Sequence, residues 1–166
     1  SLLVVLDQSA ASDIGEAPES TFETAVTLCA SVIRCAMEAG ISVHVMGRGQ
    51  RETCFSVPSH CRDIRPFLEQ LAHASADGPG SEEAYPALVN EALASFPQTN
   101  TLMTFRNRSL TSAVEPPPGV THLDMELVDE SFVYPLRRFE CHRGTRHNNR
   151  LTYSITRNTA LEDLFP

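Results

Sequence analysis

Five consecutive apolar residues, Leu2-Leu3-Val4-Val5-Leu6, run directly into Asp7 and a polar loop. A strand with one face in water alternates apolar and polar residues. This run does not alternate, so it needs cover on both faces, as a strand inside a parallel sheet does. Parallel neighbours need long crossovers, usually helical. The sequence supplies one. Ser20-Thr21-Phe22-Glu23 reads as a capping box, in which the Ser oxygen accepts from the backbone three residues on and Glu23 reaches back. Phe22, Ala25, Val26, Cys29, Val32, Ile33 and Ala36 then recur at helical spacing, and Gly40 is placed to stop the helix.

The same pattern repeats along the chain. Residues 41–46 alternate as a second strand, residues 47–51 turn, and residues 53–57 form its antiparallel edge partner. A helix is expected over residues 63–74, with Pro66 tolerable only in its first turn. The run Asp77-Gly78-Pro79-Gly80 breaks the chain. Ser81 then caps a third helix, with Glu82 and Glu83 favoured by its dipole. Strands follow at 101–105, 120–128 and 151–156, with short helical turns at 110–114 and 160–165. Strands alternating with helices specify an α/β sheet covered on both faces.

Composition narrows the function. The length of 166 residues is one domain's worth, enough to bury about 70% of the unfolded chain's surface. The chain is 42% hydrophobic and 20% charged, as expected of a packed domain. No apolar run approaches the ~20 residues of a membrane span. A net charge of −8 argues against general affinity for nucleic acid or anionic lipid. Five Cys at irregular spacings, without CxxC, do not make a disulfide framework, and a reducing compartment is expected. All basic residues are Arg. Without Lys there is no Walker-type phosphate loop, and Gly15 is the sole glycine of the first loop, so a dinucleotide fingerprint is missing too. The chain opens on a strand with no leader or Met, so it is expected to be a piece of something longer.

Ligands in open α/β sheets bind beyond the carboxyl ends of the strands. The loop after the first strand reads Asp7-Gln8-Ser9-Ala10-Ala11-Ser12-Asp13. Its carboxylates and hydroxyls are of the type that ligates Mg²⁺. They are also ordinary loop and capping residues.

Several segments together carry a family resemblance: Leu3-Val4-Val5-Leu6-Asp7-Gln8-Ser9, the long helix with its Ser20-Thr21-Phe22-Glu23 start, and the Gly-containing hairpin. Leu68-Glu69-Gln70-Leu71-Ala72, Gly78-Pro79-Gly80-Ser81 and Thr101-Leu102-Met103-Thr104-Phe105 complete the set. The chain resembles a von Willebrand factor A-like domain, and more narrowly the bacterial family of unknown function called DUF fifty-eight. The order of elements up to Phe105 carries the likeness. It implies a single domain over residues 1–166, with a three-layer, doubly wound, Rossmann-like sheet, mainly parallel with one antiparallel edge strand.

The resemblance also implies a metal-ion-dependent adhesion site, Asp-x-Ser-x-Ser after the first strand, with a Thr before a later helix and an Asp after the fourth strand. Asp7 and Ser9 match the first two positions. The third is Ala11, which offers no oxygen. The Thr position falls on Ser81, and the Asp position near Arg106, a charge reversal. An Arg near a divalent cation repels it, whereas the same Arg beside Asp7 is an ion pair. A degenerate site is therefore expected, with Arg106 beside Asp7. No metal or other cofactor is expected; Mg²⁺ or Mn²⁺ would bind only if a shift in loop register brought in Ser12 or Asp13.

Other candidates are weaker. Cys54, His60 and Cys61 lack a local third partner for nucleophilic catalysis and a fourth ligand for zinc. His142 beside Cys141 has the same shortfall. Arg137, Arg138, Arg143, Arg146, His147 and Arg150 fit an exposed basic loop with no aromatic interleaving for bases. The expected function is a non-enzymatic protein-interaction domain. Its docking residues would be Asp7, Ser9, Ser12, Asp13, Ser81 and Arg106. The resemblance implies a bacterial, cytoplasmic domain, of a membrane-anchored protein in one version, working with a MoxR-type AAA+ ATPase in protein assembly or maturation. The alternative is a hydrolase using Asp7 with Ser9, or Cys61 with His60.

Overall fold

The computed structural model describes residues 1–80, 83–107, 114–134 and 145–159. Among them, seven strands form one sheet in the order β3-β2-β1-β4-β5-β7-β6. β1 (Leu2–Leu6) is buried at every position. It pairs in parallel with β2 (Val43–Arg48) on one side and β4 (Thr101–Asn107) on the other. β3 (Glu52–Val57) is the antiparallel partner of β2. β5 (Thr121–Leu127) and β7 (Arg150–Ile155) continue the parallel order, and β6 (Thr145–His147) closes the far edge antiparallel to β7. The mainly parallel, doubly wound α/β sheet read from the sequence is the observed one. β6 was not expected; its residues are polar and too few to show a period.

α1 (Thr21–Glu38) forms where the capping box places it. The Glu23 amide donates to Ser20 Oγ at 3.3 Å. Gly40, at φ +70°, ends the helix, with its amide donating to Met37 O and the Ile41 amide to Ala36 O. Both bonds satisfy the carbonyls a helix end leaves open, in a left-handed turn that glycine adopts without Cβ strain. α1 and α2 (Arg65–Ala72) cover one face of the sheet. Cys29, Val32, Ile33 and Leu71 meet Leu2, Val4, Leu6, Met103, Phe105, Met125 and Ile155 there. α3 (Ala84–Ser95) covers the other face through Tyr85, Leu88, Val89 and Ala92 against Leu3, Val5 and Leu102. A short α4 (Asp129–Val133) packs Phe132 on the first face.

The chain winds outward from β1 to β3, then returns past β1 to β4. Loops after β1 and β4 therefore diverge, and this switch point is where ligands bind in such sheets. β4 is two residues longer than the sequence pattern indicates. Pairing with β5 carries it on through Arg106 and Asn107, which lie opposite Glu126 and Leu127. Arg106 is thus a strand residue, not a loop residue. No described helix is long and apolar enough to cross a membrane.

Candidate functional site

The loop after β1 is tied to itself and to its neighbours. Asp7 Oδ1 accepts from the Ser9 amide at 3.0 Å. Ser9 Oγ donates to Ser12 Oγ at 3.0 Å, and Ser12 Oγ donates to Ser9 O at 2.8 Å, across a 3-10 turn at Ala10–Ser12. The carbonyl of Ser12 accepts from Thr21 Oγ1 at 2.6 Å and from Asn107 Nδ2 at 2.8 Å. The start of α1 and the end of β4 therefore fix the loop from below. Ser12 is buried and Asp13 exposed. Sequence reasoning missed Thr21 and Asn107, because a side chain that bonds a distant carbonyl leaves no spacing signal.

A second segment lies across this loop. The Gly78 amide donates to Gln8 O at 2.9 Å, and the Ala10 amide to Gly78 O at 3.0 Å. These bonds make a parallel bridge between Ser9 and Gly78 that extends the sheet past β1. Gln8 is buried and donates to Ser75 O at 3.1 Å. Asp77 accepts from the Gln50 amide and from Ser75 Oγ, each at 2.7 Å. Gly80 passes close enough that a Cβ on it would sit 3.2 Å from that of Ala11. A Cβ on Gly78 would sit 2.5 Å from Arg48 O and 3.0 Å from Gln8 O, both backbone atoms. Gly78→Ala is therefore expected to cost about 1–3 kcal/mol, as overpacking does. Urea unfolding checks this; unchanged stability would mean that the segment is not held as described.

Arg106 faces the α3 side of the sheet and is 6% exposed. Its fork closes on Asp124 of β5, Nε to Oδ1 and Nη2 to Oδ2, both at 3.0 Å. Asp124 is a partner for Arg106 that the sequence, read with position 106 in a loop beside Asp7, did not name; β4 continuing through position 106 puts the Arg106 side chain on the same sheet face as Asp124. Glu126 Oε2 lies 3.9 Å from Arg106. Arg150 of β7 grips Asp124 Oδ2 from the other side. Thr104 Oγ1 donates to Asp124 Oδ1 at 3.1 Å and lies 2.8 Å from His122 Nε2. Since the hydroxyl's one proton goes to the carboxylate, the hydrogen-bond pattern assigns the other proton to His122 Nε2. Nδ1 is then a lone-pair acceptor, buried without a partner.

Burial pushes the Asp124 carboxyl up, but the hydrogen bonds and charge of Arg106 and Arg150 outweigh it and hold the group below the ordinary carboxylate value. Burial lowers His122 to about 4; Asp124 opposes the shift, and Arg150 and Arg106 add to it. Beyond this network, a polar cavity of about 460 Å³ runs over β5 and β7, between Pro116–Pro118 and the side chains of Glu126, Arg150, Thr152 and Ser154. Part of the basic segment belongs here: Arg150 is a strand residue with a buried partner, and not a loop charge.

The other expected positions stay apart. His60 is exposed, and the Cys61 thiol donates to Asp63 O at 3.1 Å. Cys54 is exposed on β3. Among the described residues, no three His, Cys, Asp or Glu side chains gather as metal ligands. Ser81, Ser109, residues 110–113, Arg137, Arg138, Cys141, His142, Arg143 and the expected helix over 160–165 lie outside the described residues.

No family model matches the sequence, and no curated protein matches it. Solved structures do match its fold. The SpRpn10 VWA domain superposes with a TM-score of 0.58 at 11% identity, covering 96% of this chain and 89% of the other. BatB from Bacteroides thetaiotaomicron gives 0.45 at 16% identity, over 76% of this chain and 51% of that one. A von Willebrand factor type A protein from Catenulispora acidiphila gives 0.46 at 11%, over 76% and 33%. The first superposition covers nearly all of both chains and defines the fold class: von Willebrand A-like.

Proposed function

We propose that this chain is a non-enzymatic protein-interaction domain whose docking face, at the carboxyl ends of β1 and β4, works without a divalent cation. The observation that carries the reading is the loop after β1. In the adhesion site of this fold class, Asp7, Ser9 and the residue at 11 would turn oxygens to an ion. Here Asp7 Oδ1 holds the Ser9 amide, Ser9 and Ser12 hydroxyls hold each other, and Ala11 has no oxygen. Gly80 passes beside Ala11, and the position that would hold the second Asp of that site carries Arg106, which bonds Asp124. These residues do not fit a hard cation that takes six or more oxygens.

A partner then meets the surface itself. Ser9, Ala11, Asp13 and Gly80 lie on it, and Ser81 adjoins it in sequence. Ser12 is buried beneath it and tied to Ser9, Thr21 and Asn107, and Arg106 is buried at the end of β4. The family resemblance makes a MoxR-type AAA+ ATPase the partner to try first, for a bacterial domain acting in the cytoplasm on assembly or maturation of other proteins.

Thermal melts with Mg²⁺ and Mn²⁺ test the first half. A site at 100 times its Kd would add about 2.7 kcal/mol. No shift is expected for the wild type or Asp7→Ala, and capture of the ATPase by the immobilised domain is expected to survive EDTA and to fall in Asp13→Arg. A metal-induced shift that disappears in Asp7→Ala would overturn the ion-free reading.

A further inference from the structure

The two edges of the sheet differ. β6 is three residues long and carries Arg146 and His147. β3 has six residues in unbroken register with β2, from Val43 opposite Val57 to Arg48 opposite Glu52, with no bulge. It contains no Pro, and its only ionised side chain is Glu52 at one end. Among the described residues, its backbone bonds only to β2, so every second N–H and C=O along it faces outward without a partner. Charge, proline, bulges and short length are the devices that keep an edge strand from pairing. β6 has two of them; β3 has almost none.

We propose that β3 is a self-association edge, on which a second copy of this chain adds its own β3 antiparallel and joins the two sheets into one. A second copy fits because the strand complements itself. With Cys54 opposite Cys54 of the second copy, Thr53 lies opposite Phe55, and Glu52 opposite Ser56, where a carboxylate meets a hydroxyl. No like charges face each other. Glu52, Cys54 and Ser56 are exposed on one side of the strand, and Thr53, Phe55 and Val57 are buried on the other. Pairing therefore extends the existing faces without turning an apolar row to water. The same operation on β6 with Arg146 central would set two guanidiniums against each other.

Sedimentation of the full chain under reducing conditions, over a concentration series, tests this. Wild type and Cys54→Ser are expected to reach twice the chain's mass at high concentration. Cys54→Lys places two ammonium groups face to face and is expected to raise the dimer Kd at least about tenfold, with its melting curve confirming that it folds. Treatment of the wild type with diamide, which takes up the two thiol hydrogens as the sulfurs join, is expected to give a Cys54–Cys54 linked dimer that Cys54→Ser lacks. A wild type that stays monomeric throughout, cross-links through other cysteines only, or dimerisation of Cys54→Lys as tight as the wild type's, would overturn the proposal.

Discussion

Asp124→Ala is expected to destabilise the fold by about 3–5 kcal/mol, the usual cost of removing one partner from a buried ion pair. Asp124 is fully buried and serves three donors: the fork of Arg106, one arm of Arg150, and the Thr104 hydroxyl. Its loss leaves two guanidiniums facing each other across β5. For a chain of this size the melting temperature should fall on the order of 10 °C. The paired change Arg106→Met with Asp124→Leu removes the charges of that pair together and leaves Arg150. It should restore the part of the loss that belongs to Arg106, since a buried pair replaced by apolar groups of similar volume is often neutral or better, while Arg150 still lacks its carboxylate. Equal damage in the single and double variants would show that the network is not energetically coupled.

Acid should act on the same place through His122. Its pKa in the folded chain is lowered to about 4 against an ordinary 6.5. Between those values the unfolded chain takes up a proton that the folded chain refuses. The contribution of His122 is therefore whole above about pH 6.5, falls as pH drops toward 4, and levels off below. At ~1.4 kcal/mol per unit, the loss is about 3 kcal/mol. Protonation would also create a buried N–H at Nδ1 with no acceptor and place a third cation beside Arg106 and Arg150. His122→Gln keeps a donor toward Thr104 but does not titrate. Urea unfolding from pH 7.5 to 4 should show a shallower decline in the variant; parallel declines would place the acid sensitivity elsewhere.

Much of the architecture was legible because it rests on local pattern. The unbroken Leu2–Leu6 run marked the central strand. The Ser20 cap and Gly40 stop marked α1 to within a residue. Alternation over residues 41–46 and the glycine-containing turn after them gave the edge hairpin of β2 and β3. The loop face was legible as a place, since its position follows from sheet topology. What was not legible lies across strands. Nothing near Arg106 in the sequence names Asp124, which is 18 residues away, or Arg150, which is 26 further on. The alternating Leu102, Thr104, Arg106 and His122, Asp124, Glu126 were a faint signal that one sheet face turns polar. That signal has meaning only once the two strands are known to be neighbours.

The Arg106–Asp124 clamp also limits how sequences related to this one can drift. An acidic residue at position 106 would set a second carboxylate against Asp124, with Arg150 on the other side to answer both. Each single step away from the pair passes through a chain with an unbalanced interior charge. Positions 106 and 124 should therefore change together or stay as they are.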